Sequence, residues 1–207
     1  MAEQRENRKK SVSVHKRLLI LDAARAIFAE EGLEGASVRA IANRAGYTPA
    51  ALYFHFDSKE SIYAEVLQAS LESLGQAVDV AVAATRAPKQ RLFAAAMAFF
   101  TFYAENPRDL DLGFYLFRGG MKPAGLGPDR DAALNSSLET ALLPIAQSAE
   151  QLGSSKHKAN LLMVDCFAHA TGLLLVLHTG RIRMFNASAS ELMERFVKDK
   201  IALLTEG

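Results

Sequence analysis

Residues 37–53 read Ser-Val-Arg-Ala-Ile-Ala-Asn-Arg-Ala-Gly-Tyr-Thr-Pro-Ala-Ala-Leu-Tyr and carry the side-chain types that meet a nucleic acid. Arg39 and Arg44 offer cations, Tyr47 and Tyr53 phenolic hydroxyls, and Thr48 a hydroxyl that suits either a phosphate or a base edge. Pro49 and Ala50 follow Thr48 at the start of a helix, where Ala50 is small enough to meet a thymine methyl. No Arg or Asn stands on that helix to read a base with two hydrogen bonds, so Tyr47, Arg44, the basic stretch upstream or DNA shape must supply specificity. Lys16 and Arg17 close that upstream stretch, within reach of an adjacent backbone or minor groove.

Other chemistry finds little support. Asp165 and His169 are four residues apart with Cys166 between, a spacing that permits a metal ligand set but supplies no fourth donor. An ion pair accounts for them better, and no metal is expected. The five histidines form no HExxH, and the chain has no phosphate-binding glycine loop and no dinucleotide fingerprint. No catalytic residues and no cofactor are expected.

The elements that must position these residues read as helix almost throughout, with no run of strict apolar alternation. Ile20, Ala24, Ile27 and Phe28 share one face of a helix from about Lys16 to Glu31, which Gly32 ends. Ser37 caps a second short helix, Thr48 a third with Pro49 at its first position, and Asp57 with Glu60 has capping-box spacing for a fourth that runs on toward Ala84. Ala45-Gly46-Tyr47 between two short helices gives helix-turn-helix geometry. An ordinary helical hairpin is the other reading of that pattern.

Beyond it, Pro88, Asn106-Pro107, Lys156 and Ser188 open further helices, nine or so in all. Aromatic residues crowd positions 93–117. Phe99, Phe102, Tyr103 and Phe117, with Met163 and Phe167, are the candidate walls of a pocket for a small apolar or aromatic effector; a plain packed core is the alternative. Residues 161–177 are nearly continuously apolar, and Leu192, Met193, Phe196, Val197, Ile201 and Leu204 add a stripe, which together suit a homodimer interface.

From Arg17 to Leu67 the chain resembles the TetR family of bacterial transcriptional regulators. The resemblance rests on Phe28–Gly32, Ser37-Val38-Arg39 with Ile41-Ala42, Ala45-Gly46, and Leu52-Tyr53-Phe54-His55-Phe56 followed by Ser58-Lys59-Glu60. It implies phosphate contacts from Tyr53, His55 and Lys59, a double-stranded operator and a homodimer as partners, and release of DNA on binding a small molecule.

The expected fold is therefore all-α: a three-helix DNA-binding head with a helix-turn-helix, joined by a long helix to a helical ligand-binding and dimerisation body. The expected division is a flexible basic arm over residues 1–15, a DNA-binding domain over 16–62 and an effector-binding and dimerisation domain over 63–207. Charge agrees: 24 Lys plus Arg against 23 Asp plus Glu give +1 overall, but residues 1–20 hold six basic and two acidic residues, an excess of four. A lone cysteine excludes an internal disulfide. The longest aliphatic run, Leu173–Leu177, is far below the roughly 20 residues that cross a bilayer. A cytoplasmic protein with no membrane partner is expected. A helical ligand-binding or interaction protein without specific DNA binding is the alternative.

Overall fold

The computed structural model describes residues 2–113 and 125–205, with side chains from residue 12 onward. Phe117, one of the candidate pocket residues, lies outside the described residues.

Among the described residues the chain forms nine α-helices and one 3-10 turn, with no strand. They are α1 (Ala2–Gly35), α2 (Val38–Ala45), α3 (Pro49–Tyr53), α4 (Lys59–Ala83), α5 (Pro88–Glu105), α6 (Pro107–Gly113), α7 (Pro128–Gln151), α8 (Lys156–His178), the 3-10 turn Arg181–Phe185 and α9 (Ala189–Thr205). Two compact units result: Met1–Ala69 with Asp111–Asp131, and Ser70–Leu110 with Ala132–Gly207.

In the first unit, α1 begins at Ala2, where a flexible arm was expected over residues 1–15. The reason is compositional: Glu, Gln, Arg and Lys dominate that stretch, all are good helix formers, and neither Gly nor Pro interrupts it. Gly32 breaks the regular helix at φ 70, a left-handed geometry that suits glycine. Ile20, Ala24, Ile27 and Phe28 are buried as their periodicity requires, and Ile41, Ala42, Leu52 and Phe56 are buried in the same unit.

Local hydrogen bonds set the element ends. Ser37 Oγ accepts from the Ala40 amide at 3.1 Å, and Thr48 Oγ1 accepts from the Ala51 amide at 3.3 Å. Gly46, at φ 75, ends α2 with its amide directed to the Ala42 and Asn43 carbonyls. The capping box of α4 is shifted by one residue from the Asp57/Glu60 expected. Ser58 Oγ accepts from the Ser61 amide and Ser61 Oγ from the Ser58 amide, both at 3.1 Å. Two hydroxyls do here what a hydroxyl and a carboxylate usually do. α4 then runs unbroken through Gly75.

The second unit packs α5, α8 and α9 around Leu92, Phe99, Leu162, Cys166, Leu174, Met193 and Val197. α8 is long and apolar enough to cross a membrane by length and composition alone, with mean hydropathy 1.7, although its longest aliphatic run is short. Ala, Met, Val, Cys and Phe among the leucines raise that average. Only 28% of its most apolar stretch is buried within the chain.

Candidate nucleic-acid interface

A groove of about 260 Å³ runs between α1 and the segment that carries α3. Val12, Ser13, Lys16 and Ile20 form the α1 wall, while Tyr47, Ala51, Phe54 and His55 form the other. Three residues expected from sequence to contact DNA, Lys16, Tyr47 and His55, thus meet in one place from three separate positions in the chain. The wall groups are a lysine ammonium, a serine and a tyrosine hydroxyl and an imidazole, each able to donate to an anionic oxygen.

The other expected residues divide into two sets. Tyr53 is 57% exposed, and Arg39 on α2, Thr48 and Ala50 are exposed as well, with Pro49 half-buried at the first position of α3. Thr48 spends its hydroxyl oxygen as the α3 cap and keeps its hydrogen to donate.

Arg17, Arg44 and Lys59 are engaged inside the unit. Arg44 Nη1 donates to both carboxylate oxygens of Glu30, each at 2.9 Å, on the surface. Lys59 Nζ donates to the Ala36 carbonyl at 3.0 Å, tying the start of α4 to the link between α1 and α2. Arg17 donates to Glu65 and to the His55 carbonyl.

Sequence reasoning missed Ser13 and Phe54. Ser13 fell in the presumed arm. Phe54 is 86% exposed, edge-on to His55 with ring centroids 5.5 Å apart. An aromatic residue in a polar turn, directly after a helix of five residues, was the available signal.

In the second unit Phe99, Phe102, Tyr103 and Phe167 do come together. Phe99 meets Tyr103 at 5.2 Å and Phe167 at 5.8 Å, and Phe102 meets Tyr103 at 5.2 Å, all edge to face. Phe99 and Tyr103 are buried, and burial, with Asp109 nearby, pushes the Tyr103 hydroxyl well above its ordinary range. Met163 is half-buried on α8. Open space of about 330 Å³ lies elsewhere in this unit, among Phe100, Ala104, Glu105, Leu177, Ile182 and Ser188.

Asp165, Cys166 and His169 diverge. Asp165 pairs with Lys200, and His169 stacks on Phe196 with centroids 3.9 Å apart and planes within 10°. Cys166 is buried, which pushes its thiol up to about 12 and keeps it protonated at neutral pH.

Residues 20–66 match the family model of bacterial regulatory proteins, tetR family. Over this segment the chain is similar to the TetR family. The transcriptional activator FasR of Mycolicibacterium smegmatis is 38% identical over 95 residues, which cover 46% of this chain and 43% of FasR. The transcriptional repressor KstR2 of Rhodococcus jostii is 48% identical over 59 residues, 28% of this chain and 29% of KstR2. The chain therefore spans less than half the length of these curated relatives. The fold reaches further than the sequence match. The crystal structure of FadR from Bacillus subtilis in complex with stearoyl-CoA superposes with a TM-score of 0.65 at 18% identity, over 92% of this chain and 98% of that one. TetR-family proteins are DNA-binding regulators rather than enzymes, and the residues of the groove suit that chemistry.

Proposed function

We propose that this chain is a ligand-responsive TetR-family repressor that binds a palindromic operator as a homodimer and is released by a small apolar effector. The observation that carries the reading is the groove where Lys16, Tyr47 and His55 converge, with Thr48, Ala50 and Tyr53 on the neighbouring recognition helix. Groove donors hold backbone phosphates, and the exposed residues of α3 enter the major groove. Residues 16–62 act as the DNA-binding domain, and residues 63–207 bind the effector and dimerise.

A single five-residue recognition helix offers few base contacts, so two heads on two half-sites are needed for useful specificity. α8 supplies the means. Leu161, Val164 and Leu175 are 53%, 54% and 52% exposed, and they share one helical face with Ala168 and Gly172. An apolar helix face with small residues at its centre fits close approach of its twofold mate, which gives a symmetric interface and covers the face without a membrane. The aromatic group around Phe99 and Phe167 recognises an apolar ring or acyl chain, in keeping with the acyl ligand named for FadR.

Selection of bound duplexes from a random pool, at stated salt, tests the reading. Enrichment of an inverted repeat is expected. A pool that stays random would favour a helical ligand-binding protein without specific DNA binding.

A further inference from the structure

Arg17 stands next to Lys16 in the chain, yet its guanidinium does not share the groove. All three of its nitrogens are engaged within the head. Nε donates to Glu65 Oε2 at 3.1 Å, Nη2 donates to the other Glu65 oxygen, and Nη1 donates to the His55 carbonyl at 2.7 Å. The flat face of the group lies 4.3 Å from the centre of the Phe56 ring. One side chain of α1 is thereby fastened to α4 and to the turn that leaves α3.

These fastenings span the two walls of the groove. Lys16 is carried by α1 and His55 by the turn after α3, and the bond from Arg17 to the His55 carbonyl joins the two. The planar fork of arginine can pair with a carboxylate through two nitrogens, donate to a carbonyl through the third and stack on a ring at once; a lysine ammonium cannot. We propose that Arg17 is a positioning residue for DNA binding: it makes no phosphate contact and instead sets the spacing of Lys16 and His55 across the groove. The proposal rests on the DNA-binding reading above and replaces the direct contact that the sequence suggests for Arg17.

The test compares Arg17→Met, Lys16→Ala and the exchanged pair Arg17→Glu with Glu65→Arg. Each is titrated with a labelled duplex from the selected pool at several salt concentrations, well below its melting temperature. Arg17→Met weakens binding about tenfold with an unchanged salt slope, because no phosphate contact is lost, whereas Lys16→Ala lowers the slope by about one. The exchanged pair restores the melting temperature, since α1 and α4 are bridged again, but leaves the affinity low because position 17 no longer donates to the His55 carbonyl. A salt slope that falls by about one in Arg17→Met would make Arg17 a direct phosphate contact and overturn the proposal. Recovery of affinity in the exchanged pair would overturn it as well, by reducing Arg17 to an ion-pair partner. A wild-type chain that binds no duplex removes the DNA-binding reading itself, and this role with it.

Discussion

The Tyr63 hydroxyl, fully buried in α4, donates to the Leu112 carbonyl of α6 at 2.9 Å, while its ring meets Phe28 edge-on at 4.8 Å. One side chain thus joins α1, α4 and α6 within the head. Tyr63→Phe keeps the ring contact and strands the carbonyl away from water. A stability loss of about 1–2 kcal/mol is expected from denaturant unfolding, typical of a buried acceptor left without its donor. A loss below the error of the measurement would mean that the carbonyl finds another donor.

The α8 face makes a prediction about assembly. A side chain at Gly172 meets nothing within 4 Å in the single chain, so Gly172→Arg should fold. If Ala168 and Gly172 lie at the crossing of two α8 helices, the arginine should turn a dimer into a monomer in sedimentation. Gly172→Cys should cross-link under mild oxidation, with little background because the native Cys166 is buried. An arginine variant that still sediments as a dimer would place the interface elsewhere.

His169 gives a pH dependence with a definite sign. Burial lowers its pKa from an ordinary value of 6.5; a backbone hydrogen bond at Leu192 opposes the shift, and nearby Lys200 and Arg195 add to it. The unfolded chain therefore takes up this proton more readily than the folded one. Stability from the neutral ring is present above 6.5 and is lost as the pH falls from there through the lower folded value. Melting curves between neutral pH and about pH 5 should show this loss, and His169→Gln should flatten it. A wild-type curve no steeper than that of the variant would show that His169 does not titrate differently on folding.

Periodicity and caps made the helical head legible: Ile20, Ala24, Ile27 and Phe28 on one face, Ser37 and Thr48 as caps, and Gly46 at the reversal. α7 passes through Pro144, and the Ser148 hydroxyl donates to the Pro144 carbonyl at 2.7 Å. The fates of Arg17, Arg44 and Lys59 were hidden in the sequence. Residue type shows that a cation is available, but its partner is set by tertiary neighbours: Glu65 is 48 positions from Arg17, and the Ala36 carbonyl 23 from Lys59. Lys16, Tyr47 and His55 likewise needed the fold to be seen as one groove.

Salt-dependent titration of a selected duplex against wild-type protein and Lys16→Ala addresses DNA binding through the groove. Wild-type affinity should fall steeply with salt, and Lys16→Ala should bind more weakly to every duplex with a slope reduced by about one, as for the loss of a single phosphate contact. Equal slopes for the two proteins, or wild-type binding that does not respond to salt, would contradict the groove as the place where this chain holds DNA.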